Sequence, residues 1–168
     1  MNKLIPAIAF LIFFTGVSGQ DNLSEEFYRN YFSSNKDSLV SIEGIWLLTS
    51  NKEVYHYDTL VEVISESNPS RVVIWKKQGK LETKVISGSQ HRMEFSLTDV
   101  KGVYLYRNYY PETKEYSKNI AVICKSNEMN YSYEIPENII RIRDDEDTAA
   151  GTKIIVILMW KKAFPLIN

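Results

Sequence analysis

The sequence predicts an all-β domain, an antiparallel up-and-down β-barrel of about 8–10 strands behind a short N-terminal helix. Three observations predict it. From Glu43 onward apolar residues recur with a period of two, clusters rich in Gly, Pro, Asn and Ser separate the runs, and no long helical period interrupts them. A two-sheet β-sandwich is the alternative, because strand count does not separate a closed barrel from two sheets with open edges.

Residues 1–19 have the parts of a secretory signal: Lys3, an apolar run from Leu4 to Phe14, and small residues at Val17-Ser18-Gly19 before Gln20. That run of about eleven residues is short of the ~20 that span a bilayer. The mature chain is therefore expected to begin at Gln20 and to be periplasmic or secreted. No cysteine follows the apolar run, which argues against a lipid-anchored form.

Residues 20–40 read as a helix and a linker. Glu25 and Glu26 suit a first helical turn, and Leu23, Phe27 and Tyr31 form an apolar stripe with Tyr28 beside it. Ser33 to Ser41 is polar and small, suited to letting the helix fold back over the barrel. Residues 41–165 then form the single barrel domain. Its first strand, Ser41 to Leu48, carries Gly44, which permits close backbone approach, and Trp46, a plug for one end of the core. The Tyr55–Val63 stretch alternates as one strand with Tyr55, Tyr57, Val61 and Val63 on the core face. Arg71–Lys77 and Leu81–Ile86 flank a hairpin at Gln78-Gly79-Lys80, and Arg92–Leu97 and Val103–Arg107 continue the meander.

Asn108 to Ser117, with Tyr109-Tyr110-Pro111, reads as a long loop or as two strand stubs with a bulge. Asn119–Lys125, Met129–Ile135, a short strand Ile139–Arg143 and a closing strand Thr152–Lys162 complete the set. The closing strand contains an unbroken apolar run, Ile154–Trp160, which calls for cover on both faces. The N-terminal helix is the expected cover for the outer one.

A chain of 168 residues with 44% apolar residues is long enough for one domain with a real core. Its net charge of −1 offers no basic surplus for nucleic acid. The single cysteine, Cys124, excludes an internal disulfide and reads as a small buried hydrophobe. His56 and His91 show no zinc spacing and read as outward strand residues, and Asp144-Asp145-Glu146-Asp147 lacks the calcium-loop spacing and reads as a solvated turn. No nucleophile elbow or phosphate loop occurs, so no catalytic residue, metal or cofactor is expected.

The lead-in helix, the Gly44-Ile45-Trp46 element, the meander and the ending Trp160-Lys161-Lys162-Ala163-Phe164-Pro165 together resemble the lipocalin-like barrels of the calycin group. They look like small exported bacterial domains with a Glu-Gly-Ile-Trp or Glu-Gly-Ile-Tyr first strand. In lipocalins an Arg near the barrel end packs on the Trp; Arg141, Arg143 or Lys161 stands nearest to that place by position. The resemblance implies a cup that takes a small hydrophobic molecule and has no catalytic residues.

Period-two placement gives the expected ligand wall: Tyr55, Tyr57, Trp75, Met93, Phe95, Tyr131 and Tyr133. A dry core favours Leu, Ile and Val, whereas a buried phenol needs a hydrogen-bond partner, a water or a ligand. Two function classes follow. One is an exported binding module for a small hydrophobic ligand. The other is an envelope interaction domain whose interior is filled by its own side chains.

Overall fold

The computed structural model describes residues 24–88, 92–143 and 150–166. The expected signal, Gln20, Leu23, His91 and the acidic run Asp144–Asp147 lie outside the described residues. Ser24 caps helix α1 (Glu25–Ser34) by accepting the Phe27 N–H at 3.3 Å. A turn of 3₁₀-helix at Lys36–Ser38 then leads to β1 (Gly44–His56), β2 (Thr59–Ser65), β3 (Ser70–Lys77) and β4 (Lys80–Ser87). These are followed by β5 (Met93–Leu97), β6 (Val103–Tyr110), β7 (Glu115–Tyr116), β8 (Ile120–Ile123) and β9 (Glu128–Glu134). Helix α2 (Glu137–Arg143) and β10 (Thr152–Phe164) complete the described elements.

The all-β antiparallel expectation holds, in its sandwich form. One sheet runs β4-β3-β1-β10-β9, with β2 beside the far half of β1; the smaller runs β5-β6-β7, with β8 also on β6. Among the described residues no ladder joins β4 to β5 or β9 to β8, so the sheets do not close into a barrel. The contacts across these seams are local: Thr83 Oγ1 donates to the Met93 carbonyl at 2.6 Å, and Lys125 pairs with Glu128. The edges of the smaller sheet are short, five residues in β5 and four in β8, and do not reach along the longer β4 and β9.

The core lies between the sheets. β1 contributes Trp46 and Leu48, β10 contributes Val156, Leu158 and Trp160, and the facing wall supplies Met93, Phe95 and Tyr106. A second cluster lies on the outer face, where α1 buries Tyr28 and Phe32 against Ile45 and Val73. The Tyr28 ring meets Trp75 at 5.1 Å between centroids. This corrects the sequence reading of the helix twice. Phe27 is 48% exposed, so the docking stripe is Tyr28 and Phe32 with Tyr31, one residue round from the Phe27 stripe. The helix also covers β3 and the Ala163–Phe164 end of β10, leaving Met159 on the outer face of β10 exposed. The Glu25 carboxylate, hydrogen-bonded by Arg71 of β3 and Arg29, is held below its usual pKa and fixes this docking.

Two further elements differ from expectation. Tyr55–Val63 is not one strand: Tyr57 and Asp58 both take positive φ, 46° and 62°, and form a two-residue hairpin turn. The turn lacks the usual Gly or Asn and is held instead by the Tyr57 N–H donating to the Gly151 carbonyl at 2.9 Å, with the Tyr57 ring lying close against Gly151. Ile139–Arg143 is helix rather than strand. The Pro136 carbonyl accepts the Ile139 and Ile140 N–H groups, Glu137 pairs with Arg141 one turn on, and Ile139 and Ile140 are buried. The Asn108–Ser117 connection takes the stub form, with Tyr109 opposite Tyr116 and Tyr110 opposite Glu115.

Gly44 has φ +152°, and a Cβ there would lie 2.5 Å from the Phe164 carbonyl oxygen. Gly44→Ala is therefore expected to lower stability by roughly 1–3 kcal/mol, read as a lower denaturant midpoint. By contrast, all seven residues of β2 are exposed. Val63→Lys there is expected to leave the midpoint within about 0.5 kcal/mol while raising the solubility limit, since a charge blunts an apolar edge strand.

Candidate functional site

Between the sheets, beside the packed aromatic rings, lies a cavity of about 160 Å³. β1 supplies Leu48, Ser50 and Lys52, β10 supplies Val156 and Leu158, and β6 supplies Tyr106, Asn108 and Tyr110. Met93, Tyr133 and Ile135 complete the lining. Every second residue of each strand points inward, which is why even-numbered positions of β1, β6 and β10 meet odd-numbered ones of β5 and β9 here. Ser50 is buried, and Lys52 is exposed at the rim. The cavity is thus lined in near-equal measure by aliphatic side chains and by polar ones, namely the Ser50 and tyrosine hydroxyls, the Asn108 amide and the Lys52 ammonium at its rim.

The rest of the interior is filled by an aromatic stack. Tyr106 meets Phe95 at 5.3 Å and Tyr131 at 4.7 Å, while Trp160 meets Phe95 at 5.8 Å and Trp46 at 6.4 Å. Burial pushes the Tyr106 and Tyr131 phenols far above the usual tyrosine range. They stay protonated, neutral donors and acceptors at any physiological pH. The Tyr131 hydroxyl, the Trp160 Nε1 and the Tyr106 hydroxyl are buried together, so this part of the core carries polar groups among its rings.

The seven tyrosine, tryptophan, methionine and phenylalanine positions expected to form a ligand wall divide between the two sides of the sheet. Met93, Phe95, Tyr131 and Tyr133 face the space between the sheets, and Met93 and Tyr133 line the cavity itself. Tyr55, Tyr57 and Trp75 do not. Trp75 is on the outer face under α1, Tyr57 is 73% exposed at the hairpin turn, and the Tyr55 hydroxyl donates to the Glu53 carboxylate at 2.8 Å. The hairpin turn explains Tyr57, and the outward parity of Trp75 follows from Val72 and Ile74 facing the core. Ser50, Asn108 and Tyr110 were missed. Ser50 and Asn108 are polar residues at inward positions of otherwise apolar strand faces, a signal present in the alternation itself.

The structural pair Gly44 and Trp46 occupies the other end of the core. Trp46 is fully buried, its Nε1 donates to the Ile42 carbonyl at 2.8 Å, and the Lys162 ammonium lies 4.8 Å from the ring centroid. The cation on the Trp is therefore Lys162, not Arg141 or Lys161, both of which are exposed. Lys162 Nζ also donates to the Ser41 carbonyl, and burial lowers its pKa to about 8. The Cys124 thiol, buried nearby, donates weakly to the same carbonyl at 3.4 Å and is pushed up by burial.

The long connection between β6 and β8 presents tyrosines locked by cations. Arg92 stacks 4.6 Å over Tyr109, Arg107 lies 4.3 Å over Tyr116, and the Tyr116 hydroxyl donates to Glu94. Among the described residues no group of three His, Cys, Asp or Glu is placed to hold a metal ion, and no helix is long and apolar enough to cross a membrane. Comparison with protein-family models, with curated proteins and with solved structures returns no match.

Proposed function

We propose that this chain is an exported, non-catalytic binding module that holds a molecule of about one aromatic ring in the cavity between its sheets. The observation that carries the reading is the cavity: about 160 Å³, with aliphatic side chains on part of its wall and tyrosine hydroxyls and the Asn108 amide on the rest. That volume matches the ~150 Å³ apolar cavities that take up benzene and falls short of the ~300–1,000 Å³ of drug-sized pockets. A fatty acid or retinoid exceeds it. A small phenol or indole fits, its ring against Leu48, Val156 and Leu158 and its polar atom toward Tyr106, Asn108 or Tyr133.

Titration with p-cresol, followed by methyl NMR of Leu48, Ile135, Val156 and Leu158, tests the proposal. Saturable shifts confined to these methyls are expected with p-cresol, and no saturable shifts with palmitate. Val156→Phe, which fills the space, is expected to abolish them at an otherwise native spectrum. Unshifted methyls at millimolar p-cresol, benzene and indole alike would leave the filled-interior envelope domain as the better account.

A further inference from the structure

The eleven residues that line the inter-sheet cavity include one charged group, the Lys52 ammonium, and no carboxylate. Opposite Lys52 stand Ile64 on β2 and Val156 on β10, both aliphatic, so neither neighbouring strand sets an acid directly beside it. Two acids lie further along the same hairpin: Glu62 is opposite Val54, and the Glu66 N–H donates to the Ser50 carbonyl. Neither lines the cavity, and neither pairs with Lys52. Among the described residues the Lys52 ammonium has no hydrogen-bond or ion-pair partner.

Two further polar side chains open on the same space. Ser50 is only 4% exposed, yet its hydroxyl makes no hydrogen bond among the described residues, and the same holds for the Asn108 side-chain amide on the facing sheet. A hydroxyl buried so deeply is costly unless another molecule completes its hydrogen bonding. Leu48, Ser50 and Lys52 are alternate residues of β1 and share one face. Along that face the lining runs from a buried aliphatic side chain, through a buried hydroxyl, to an exposed ammonium at the rim. Leu158 and Val156 of β10 lie opposite Ser50 and Lys52.

We infer that the molecule held in this cavity is an aromatic carboxylate of one ring, and that Lys52 is the residue that selects it. This rests on the reading of the cavity as a binding site. The ring lies against Leu48, Val156 and Leu158. The carboxylate points to the rim, where its oxygens accept from the Ser50 hydroxyl and the Lys52 ammonium, with the Asn108 amide as a further donor. All three groups donate, and a carboxylate, which only accepts, is the head group that uses them together. An amine would set a second cation against the ammonium, and a neutral phenol makes no use of its charge.

Benzoate and benzamide are the probes, since they share size and shape and differ in charge, and the methyl resonances of Leu48, Val156 and Leu158 are the readout. At neutral pH benzoate is expected to bind roughly five- to tenfold more tightly than benzamide, an advantage that shrinks as salt is raised. Lys52→Met is expected to bring the two probes within about twofold of each other, and Lys52→Arg to keep the preference. Lys52 is exposed, so both variants are expected to retain the native methyl spectrum when free. Saturable p-cresol shifts in the unaltered protein with benzoate bound no more tightly than benzamide would overturn the assignment and leave the cavity reading standing. A benzoate preference that survives Lys52→Met would do the same. Unshifted methyls with p-cresol, benzene, indole and benzoate alike would remove both readings together.

Discussion

Trp46→Ala is expected to lower the free energy of unfolding by about 3–5 kcal/mol, seen as a large fall in the denaturant midpoint at unchanged slope. Three losses add at this position. The indole is completely buried and meets Trp160 edge-on, so its removal leaves a void beside the Trp160 ring. The Ile42 carbonyl loses the Nε1 donor at 2.8 Å while remaining buried, and the Lys162 ammonium loses the ring face beneath it. Trp46→Phe separates the contributions. It keeps most of the ring packing and loses the hydrogen bond, so about 1–2 kcal/mol of loss is expected. A midpoint unchanged in the alanine variant would contradict the plug role.

That role was legible because Gly44 and Trp46 are two residues apart on a strand, and position on a strand fixes the face. The same parity placed Met93, Phe95, Tyr131 and Tyr133 correctly between the sheets. It failed where the parity was reset. The turn at Tyr57-Asp58 splits an alternating run that carries no Gly, Asn or Pro to mark it, and its cause, a carbonyl and open space at Gly151, lies almost a hundred residues along the chain. Trp75 alternates as expected on β3, but α1 gives that strand a second buried face, so a large apolar side chain no longer signals the interior. The Ile139–Arg143 segment is short enough that its isoleucines fit either period, and Pro136 with the Glu137–Arg141 pair decides for helix. Closure was illegible for another reason: whether two edges ladder depends on the lengths and angles of facing strands, and the sequence of each edge strand reads the same in a barrel and in a sandwich.

In Lys162→Met the stability advantage or deficit relative to the unaltered protein is expected to change by on the order of 3 kcal/mol between pH 8 and pH 10.5. Lys162 is 2% exposed, and burial brings its pKa from 10.5 down to about 8 in the fold. Below pH 8 both folded and unfolded chains carry the proton, and the fold bears the full cost of a buried ammonium. Between pH 8 and 10.5 the folded lysine is neutral while the unfolded one still binds a proton. The unfolded state then holds more protons, so this group makes stability rise with pH across that window and level off above it. The groups facing it are the Ser41 carbonyl, the Trp46 ring, the Cys124 thiol and the Glu43 carboxylate, which itself accepts the Val40 and Lys76 N–H groups at 2.9 Å. Cys124, Tyr106 and Tyr131 act in the opposite sense, since burial raises their folded pKa and the unfolded forms ionise first, above about pH 9 for the thiol and pH 10 for the phenols. They are present in both proteins, so the difference between the two urea titration series isolates Lys162, and Cys124→Ala in both backgrounds removes the neighbouring thiol from it. The methionine variant loses the donor to Ser41 at every pH, which shifts the difference by a constant and leaves its slope intact. A difference that stays flat from pH 7 to pH 10.5 would mean that Lys162 ionises in the fold as it does in the open chain, and that the cation over Trp46 is solvated rather than buried.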